Sequence, residues 1–230
     1  MKRTRTFVAL SLAMVLAAAS TATWAASKKT NMVAGKGEAA TPATLAVQTT
    51  TTAYGLVRYG DANKDALSLI TAARMLKDVG SRPTDAKRQG AAASENKPGG
   101  DKYAVDSILA RAKDLAAGRT DLLALIDDVN KSSARGSEVG VRRWNEVVAS
   151  GRSDVYRVAF RGGEPAAVLV SGDGDSDLDL YIYDQNGNLI CKDDDRTDDM
   201  ICRWNPRWTG DFIIKIRNLG VANRYTAAHN

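Results

Sequence analysis

From about Glu138 onward the apolar residues stop recurring at helical spacing and begin to alternate. Alternation marks half-buried strands, because a strand turns successive side chains to opposite faces; recurrence at i, i+3 and i+4 marks one face of a helix. Eight short runs follow the change: Val139–Val148, Val155–Phe160, Ala166–Ser171, Leu178–Asp184, Leu189–Lys192, Met200–Trp204, Asp211–Arg217 and Tyr225–Ala228. Turn chemistry separates them, as in Arg161-Gly162-Gly163-Glu164-Pro165, Asn186-Gly187 and Thr209-Gly210-Asp211. Asn-Gly between two strand-like runs is a strong hairpin signal. Strands this short and this regularly punctuated predict one antiparallel β-sandwich, jelly-roll-like, over residues 138–230.

Before the change the chain reads as helical, so the whole is α+β. Residues 53–136 hold about three helices. Asp61 is placed to cap a first one running to Val79, with Ala66, Leu69, Ile70, Ala73 and Leu76 on one face and Gly80 at its end. Asp101 is placed to cap a second, whose stripe is Val105, Ile108, Leu109, Ala112, Leu115 and Ala116, ended by Gly118. Thr120 is placed to cap a third, with Leu122, Leu123, Leu125, Ile126 and Val129, closed by Gly136 at the latest. These stripes read as core, since the segment holds no His or Cys ligands and no phosphate loop. Residues 81–100 contain Pro, Gly and small polar residues and read as a long mobile loop. Residues 26–52, rich in Ala, Thr, Gly and Lys, read as a flexible N-terminal stretch.

Residues 1–25 have the layout of a secretory signal peptide: Lys2, Arg3 and Arg5, an apolar run from Phe7 to Ala19, and Thr23-Trp24-Ala25 before the expected cleavage point. The apolar run is shorter than the ~20 residues of a membrane span. The expected location is therefore periplasmic or secreted, with no membrane span after cleavage. Losing Lys2, Arg3 and Arg5 lowers the formal charge from +5 to +2. No dense Lys/Arg stripe remains, which speaks against a nucleic-acid partner. Cys191 and Cys202 are the only cysteines. In an exported chain such a pair reads as a disulfide, with free thiols or half of a metal site as the alternatives.

The segment from Ser171 to Asp195 carries the chemistry. Asp173, Asp175, Asp177 and Asp179 fall on alternate residues, and Asp193, Asp194 and Asp195 follow after the Asn186-Gly187 turn. Clustered carboxylates repel unless water or a cation separates them. An EF-hand does not fit, because Leu178 stands where the turn glycine belongs and Asp184 where a bidentate Glu belongs. Two readings remain open. One is a calcium site built from these seven aspartates, with Asp177 and Asp179 central; the other is a solvated acidic face balanced by Arg196 and Arg203. Tyr181 and Tyr183 share a strand face with Asp177 and Asp179, and with Trp208 they are the candidate ligand-binding aromatics. Against this, Trp208 packs as readily beneath a turn.

Six segments stand in order: Asp154-Val155-Tyr156, Gly162-Gly163, Val168-Leu169-Val170, Asp177-Leu178-Asp179-Leu180-Tyr181, Trp208-Thr209-Gly210 and Asn223-Arg224-Tyr225. Together, over roughly residues 150–230, they resemble the bacterial pre-peptidase C-terminal (PPC) domain family. The resemblance implies a small β-sandwich of the kind appended to secreted hydrolases, and related collagen-binding sandwiches carry calcium. The helical region here is far too short to be a protease domain, and it lacks a nucleophile–base set. The expected function is an exported, non-catalytic binding protein with a calcium-type sandwich, recognising an envelope protein, peptide or polysaccharide. The alternatives are an accessory subunit of an envelope complex and a small hydrolase using paired aspartates.

Overall fold

The computed structural model describes residues 29–34, 40–90, 95, 97–132 and 140–230. The expected signal peptide, Gly136, Glu138 and Val139 lie outside the described residues. No helix among the described residues is long and apolar enough to cross a membrane.

Four helices come first: α1 (Pro42–Asn63), α2 (Ala66–Val79), α3 (Val105–Leu115) and α4 (Thr120–Lys131). From Pro42 onward, α1 replaces the flexible stretch expected over 26–52. Thr41 caps it in a capping box with Thr44, and Pro42 sits in its first turn, where a missing N–H costs nothing. The polar, β-branched run Thr49–Thr52 hid the helix from the sequence. In the fold, the hydroxyls of Thr50 and Thr51 donate back to the carbonyls of Ala46 and Val47 at 2.9 Å, while Val47, Ala53, Tyr54 and Val57 are buried on one face. Asp61 therefore lies inside α1, and it is Asp65 that caps α2, accepting from the Leu67 amide. Asp101 does not cap α3, whose N-cap is Ala104; its carboxylate instead binds the Tyr103 amide and Arg143. Thr120 does not cap α4 either: it is the first helical residue, and Arg119 is the N-cap.

Ten strands form two five-stranded sheets. They are β1 (Ser81–Pro83), β2 (Lys87–Arg88), β3 (Val141–Val148), β4 (Ser153–Phe160), β5 (Ala166–Ser171), β6 (Leu178–Asp184), β7 (Leu189–Asp193), β8 (Asp199–Trp204), β9 (Gly210–Asn218) and β10 (Asn223–His229). Sheet A has the order β1-β3-β10-β5-β8 and sheet B the order β2-β4-β9-β6-β7. Every pairing is antiparallel except β1 with β3. From β3 to β10 the strands are dealt between the sheets as in a jelly roll. β1 and β2 fall within the expected mobile loop 81–100. β1 adds to the edge of sheet A beside Val141–Arg143, and β2 adds to sheet B beside Tyr156 and Arg157.

The core has two parts. Between the sheets, Leu178, Leu180 and Ile182 of β6 meet Phe212, Ile214 and Ile216 of β9 and Val168 and Val170 of β5. On the outer face of sheet A, Val141, Ala167, Leu169 and Ala228 pack against the helices. β5 is thus buried along its whole length. The molecule has three layers: helices, sheet A, sheet B.

One buried polar group ties the two sheets together. The Tyr225 hydroxyl of β10 donates to Asp154 of β4 at 2.8 Å and lies 2.6 Å from the Tyr156 hydroxyl. Arg88 of β2 closes the group by pairing with Asp154. Burial holds the Tyr225 phenol well above its ordinary pKa. Tyr225→Phe leaves the Asp154 carboxylate short of a donor, and we expect a loss of about 1–3 kcal/mol in urea unfolding. A variant as stable as the parent contradicts the network's role.

Candidate ligand-binding face

The outer face of sheet B has no helix against it among the described residues. Along β6, Leu178, Leu180 and Ile182 point to the core, so Asp179, Tyr181 and Tyr183 point outward. The register sets Lys87, Arg157, Ile213 and Tyr183 in one cross-strand row. Val155, Lys215, Tyr181 and Lys192 form the next. The two tyrosine rings lie 6.5 Å apart at 24°. Next to Tyr183 is a cavity of about 330 Å³, lined by Arg157, Ile213, Gln185, Asp184 and Asp211 as well. Arg157 reaches Asp211 across 3.3 Å. The face therefore combines ring surfaces, an aliphatic floor and fixed polar groups.

The hairpin that bounds this cavity is built by Asp184. Its carboxylate accepts from the amides of Asn186 and Asn188, each at 2.9 Å, and from the Asn31 amide at 2.8 Å. Gly187 adopts φ +84°, a left-handed conformation that glycine takes without strain. Hydrogen bonds from Asn31, Asn186 and Asn188 outweigh burial and hold the Asp184 pKa below its ordinary value. Trp208 does not line this cavity. Its backbone is held by Asn31, which accepts from the Trp208 amide at 3.0 Å and donates to the Trp208 carbonyl at 3.0 Å.

The alternate aspartates Asp173, Asp175, Asp177 and Asp179 do not share one strand face, because β6 begins only at Leu178. Asp173 and Asp175 sit in the preceding loop and share the Lys97 ammonium, at 2.5 and 2.6 Å. Burial works against that ammonium, and hydrogen bonds to the two aspartates outweigh it, so the Lys97 pKa is raised. Asp179 lies 3.6 Å from Arg217 and accepts from the Tyr181 hydroxyl at 3.2 Å. Asp193 accepts from the Ile201 amide, Asp194 pairs with Lys192, and Asp195 accepts from Thr197. Asp177 differs: its Oδ1 is buried without a hydrogen bond. Burial, then repulsion from Asp179, Asp195 and Asp198, raises its pKa, with Arg196 opposing. Among the described residues no group of three or more His, Cys, Asp or Glu side chains is placed to hold a metal ion. Most of these carboxylates are bound to Lys97, Arg217, Lys192 and backbone amides. Cys191 and Cys202 form a disulfide with a Cα–Cα distance of 5.9 Å, linking β7 of sheet B to β8 of sheet A.

Several residues of this surface carry no mark in the sequence. Arg157, Gln185, Ile213 and Lys215 join it only through strand register and loop closure. The alternation along β4 and β9 was the one available signal for Arg157, Ile213 and Lys215.

No family model matches the chain, and no curated protein matches it. Solved structures similar to part of it include the pre-peptidase C-terminal domain of collagenase from Bacillus anthracis. That domain is 10% identical over 38% of this chain and 87% of its own, with a TM-score of 0.35. The Yersinia pseudotuberculosis-derived mitogen is 15% identical over 40% of this chain and 85% of its own, with a TM-score of 0.33. PliG of Aeromonas hydrophila, a periplasmic inhibitor of g-type lysozyme, is 12% identical over 39% of this chain and 84% of its own, with a TM-score of 0.31. Likeness at this level adds no argument about what this chain binds.

Asp177 supplies a pH test. Its folded pKa is raised, so its charge costs stability once the pH exceeds the ordinary aspartate range, about 4, and costs nothing below it. Asp177→Asn should therefore raise stability at neutral pH, by up to about 1 kcal/mol after solvent screening. The gain should vanish in unfolding curves recorded below about pH 4. An equal gain at both pH values assigns the effect to something other than this charge.

Proposed function

We propose that this chain is an exported, non-catalytic binding protein that holds a polysaccharide on the outer face of sheet B. The observation that carries the reading is the half-buried, outward-facing Tyr181–Tyr183 pair beside the cavity lined by Arg157, Gln185 and Asp211. Aromatic rings cover the apolar C–H faces of sugars, and planar polar side chains bond their hydroxyls. Helices cover the outer face of sheet A, which leaves sheet B's as the presenting surface. The signal-like N-terminus and the Cys191–Cys202 disulfide support an oxidising compartment outside the cytoplasm. Of the two groups a paired-aspartate hydrolase would need, Asp177 and Asp179, neither lines the cavity beside Tyr183.

Retention of the purified protein on insoluble polysaccharides tests the reading. Tyr183→Ala and Tyr181→Ala should each weaken binding about tenfold or more, since a buried aromatic contact is worth on the order of 1–3 kcal/mol. Melting temperature should stay within a few degrees of the parent, because both rings lie outside the core. Wild-type protein that binds no polysaccharide, or alanine variants that bind as well as it does, would overturn the proposal. Retention on a peptide resin alone would assign the face to a protein ligand instead.

A further inference from the structure

A second cavity, of about 440 Å³, is lined by three arginines from separate parts of the chain: Arg82 of β1, Arg142 of β3 and Arg161 from the turn after β4. Asp85, Glu164 and His229 line it as well. So does Ala43, from the first turn of the 22-residue α1. The positive end of that helix dipole thus adds to the three guanidinium groups. We propose that this cavity binds a phosphate group, held by Arg82, Arg142 and Arg161.

The arginines are placed for an external anion. Arg82 is anchored by two N–H bonds, from Nε and Nη2, to the Gly140 carbonyl at 3.2 and 2.9 Å. Its Nη1 has no hydrogen-bond partner among the described residues. Arg142 meets Asp85 at 3.3 Å and Arg161 meets Glu164 at 3.7 Å, and the four side chains are 34–79% exposed. Ion pairs this long and this open are held weakly, so a better acceptor can replace them. One guanidinium satisfies a planar carboxylate, but a tetrahedral dianion takes donors from several directions. Three guanidinium groups brought in by different elements match the second case. The cavity is also larger than a phosphate ion needs, leaving room for the group that carries it.

His229 makes the site readable. It is the chain's single histidine, 1% exposed, with Trp144 and Phe160 packed edge-on against its ring. Its Nε2 faces Asp85 Oδ1 and Thr84 Oγ1, each at 3.3 Å, and its Nδ1 faces the Asn230 backbone oxygen at 2.8 Å. Asp85 and Arg142 act on it directly, and Arg82, Arg161 and Glu164 line the same cavity. Burial and Arg142 hold its pKa down, while Asn230 and Asp85 oppose them. Asp85 is shared between Arg142 and His229. A phosphate that engages Arg142 releases Asp85 towards His229 and adds negative charge nearby. Both effects favour the imidazolium.

The test follows the imidazole resonance of His229 by NMR as pH is varied, with phosphate added at constant ionic strength. Its midpoint should move to higher pH, by about one unit at saturation. Arg161 lies in an exposed turn, so Arg161→Gln should fold normally and weaken phosphate binding about tenfold. Arg142→Gln should do at least as much. Parallel titrations with inorganic phosphate and glycerol phosphate separate a free ion from an esterified one, and tighter binding of either supports the site. A midpoint that moves equally with chloride, or does not move saturably, leaves only ordinary surface ion pairs and overturns the proposal. Unchanged affinity in both arginine variants does the same.

Discussion

The architecture depends on sheet A being apolar on both faces. β5 reads Ala166-Ala167-Val168-Leu169-Val170-Ser171, and every one of these residues is buried. Val168 and Val170 enter the core between the sheets, while Ala167 and Leu169 face the helices. A strand apolar on both faces can be satisfied only by a layer on each side. The helical region is thus part of the fold's core, with Val47, Ala53 and Val57 of α1 burying their face in the cluster that includes Ala167 and Leu169. Sheet B has no such demand. Its outer face carries Arg157, Lys215, Tyr181 and Tyr183, so it can be left to solvent and to a ligand.

Charge follows the same division. The end of the sandwich that gathers the aspartates is neutralised largely by groups from outside it. Lys97 holds Asp173 and Asp175, and Arg58 of α1 pairs with Asp199 at 2.6 Å. Arg88 brings β2 to the buried Asp154. These pairs explain why the polar segment after α2 joins the sandwich and does not stay apart from it. A buried carboxylate needs a partner, and a neighbouring loop supplies one at less cost than core redesign.

Much of the sandwich was legible because one strand face is buried wherever a run alternates. Each of the eight expected runs became a strand, and the two cysteines became the pair that links β7 and β8. Helix α1 was illegible for a local reason. Its Thr49–Thr52 run has weak helix propensity, and the apolar face Val47, Ala53, Tyr54 and Val57 shows only once the partner layer is known. The short strands β1 and β2 were hidden for a tertiary reason: two or three polar residues gain strand geometry by adding to edges built some sixty residues later. The aspartate spacing misled in the opposite way. Residues at i and i+2 share a face only inside a strand, and Asp173, Asp175 and Asp177 precede the strand's start at Leu178.

The sequence by itself determined the class of fold, the turn at Asn186-Gly187 and the outward display of Tyr181 and Tyr183. All of these follow from local periodicity and turn chemistry, which each segment carries within itself. Only the tertiary structure decided which sheet face would be covered, which cations would reach Asp173, Asp175 and Asp154, and that Arg82, Arg142 and Arg161 would line one cavity. Those outcomes depend on register and layer packing between residues 60 to 140 positions apart, and no local pattern encodes them.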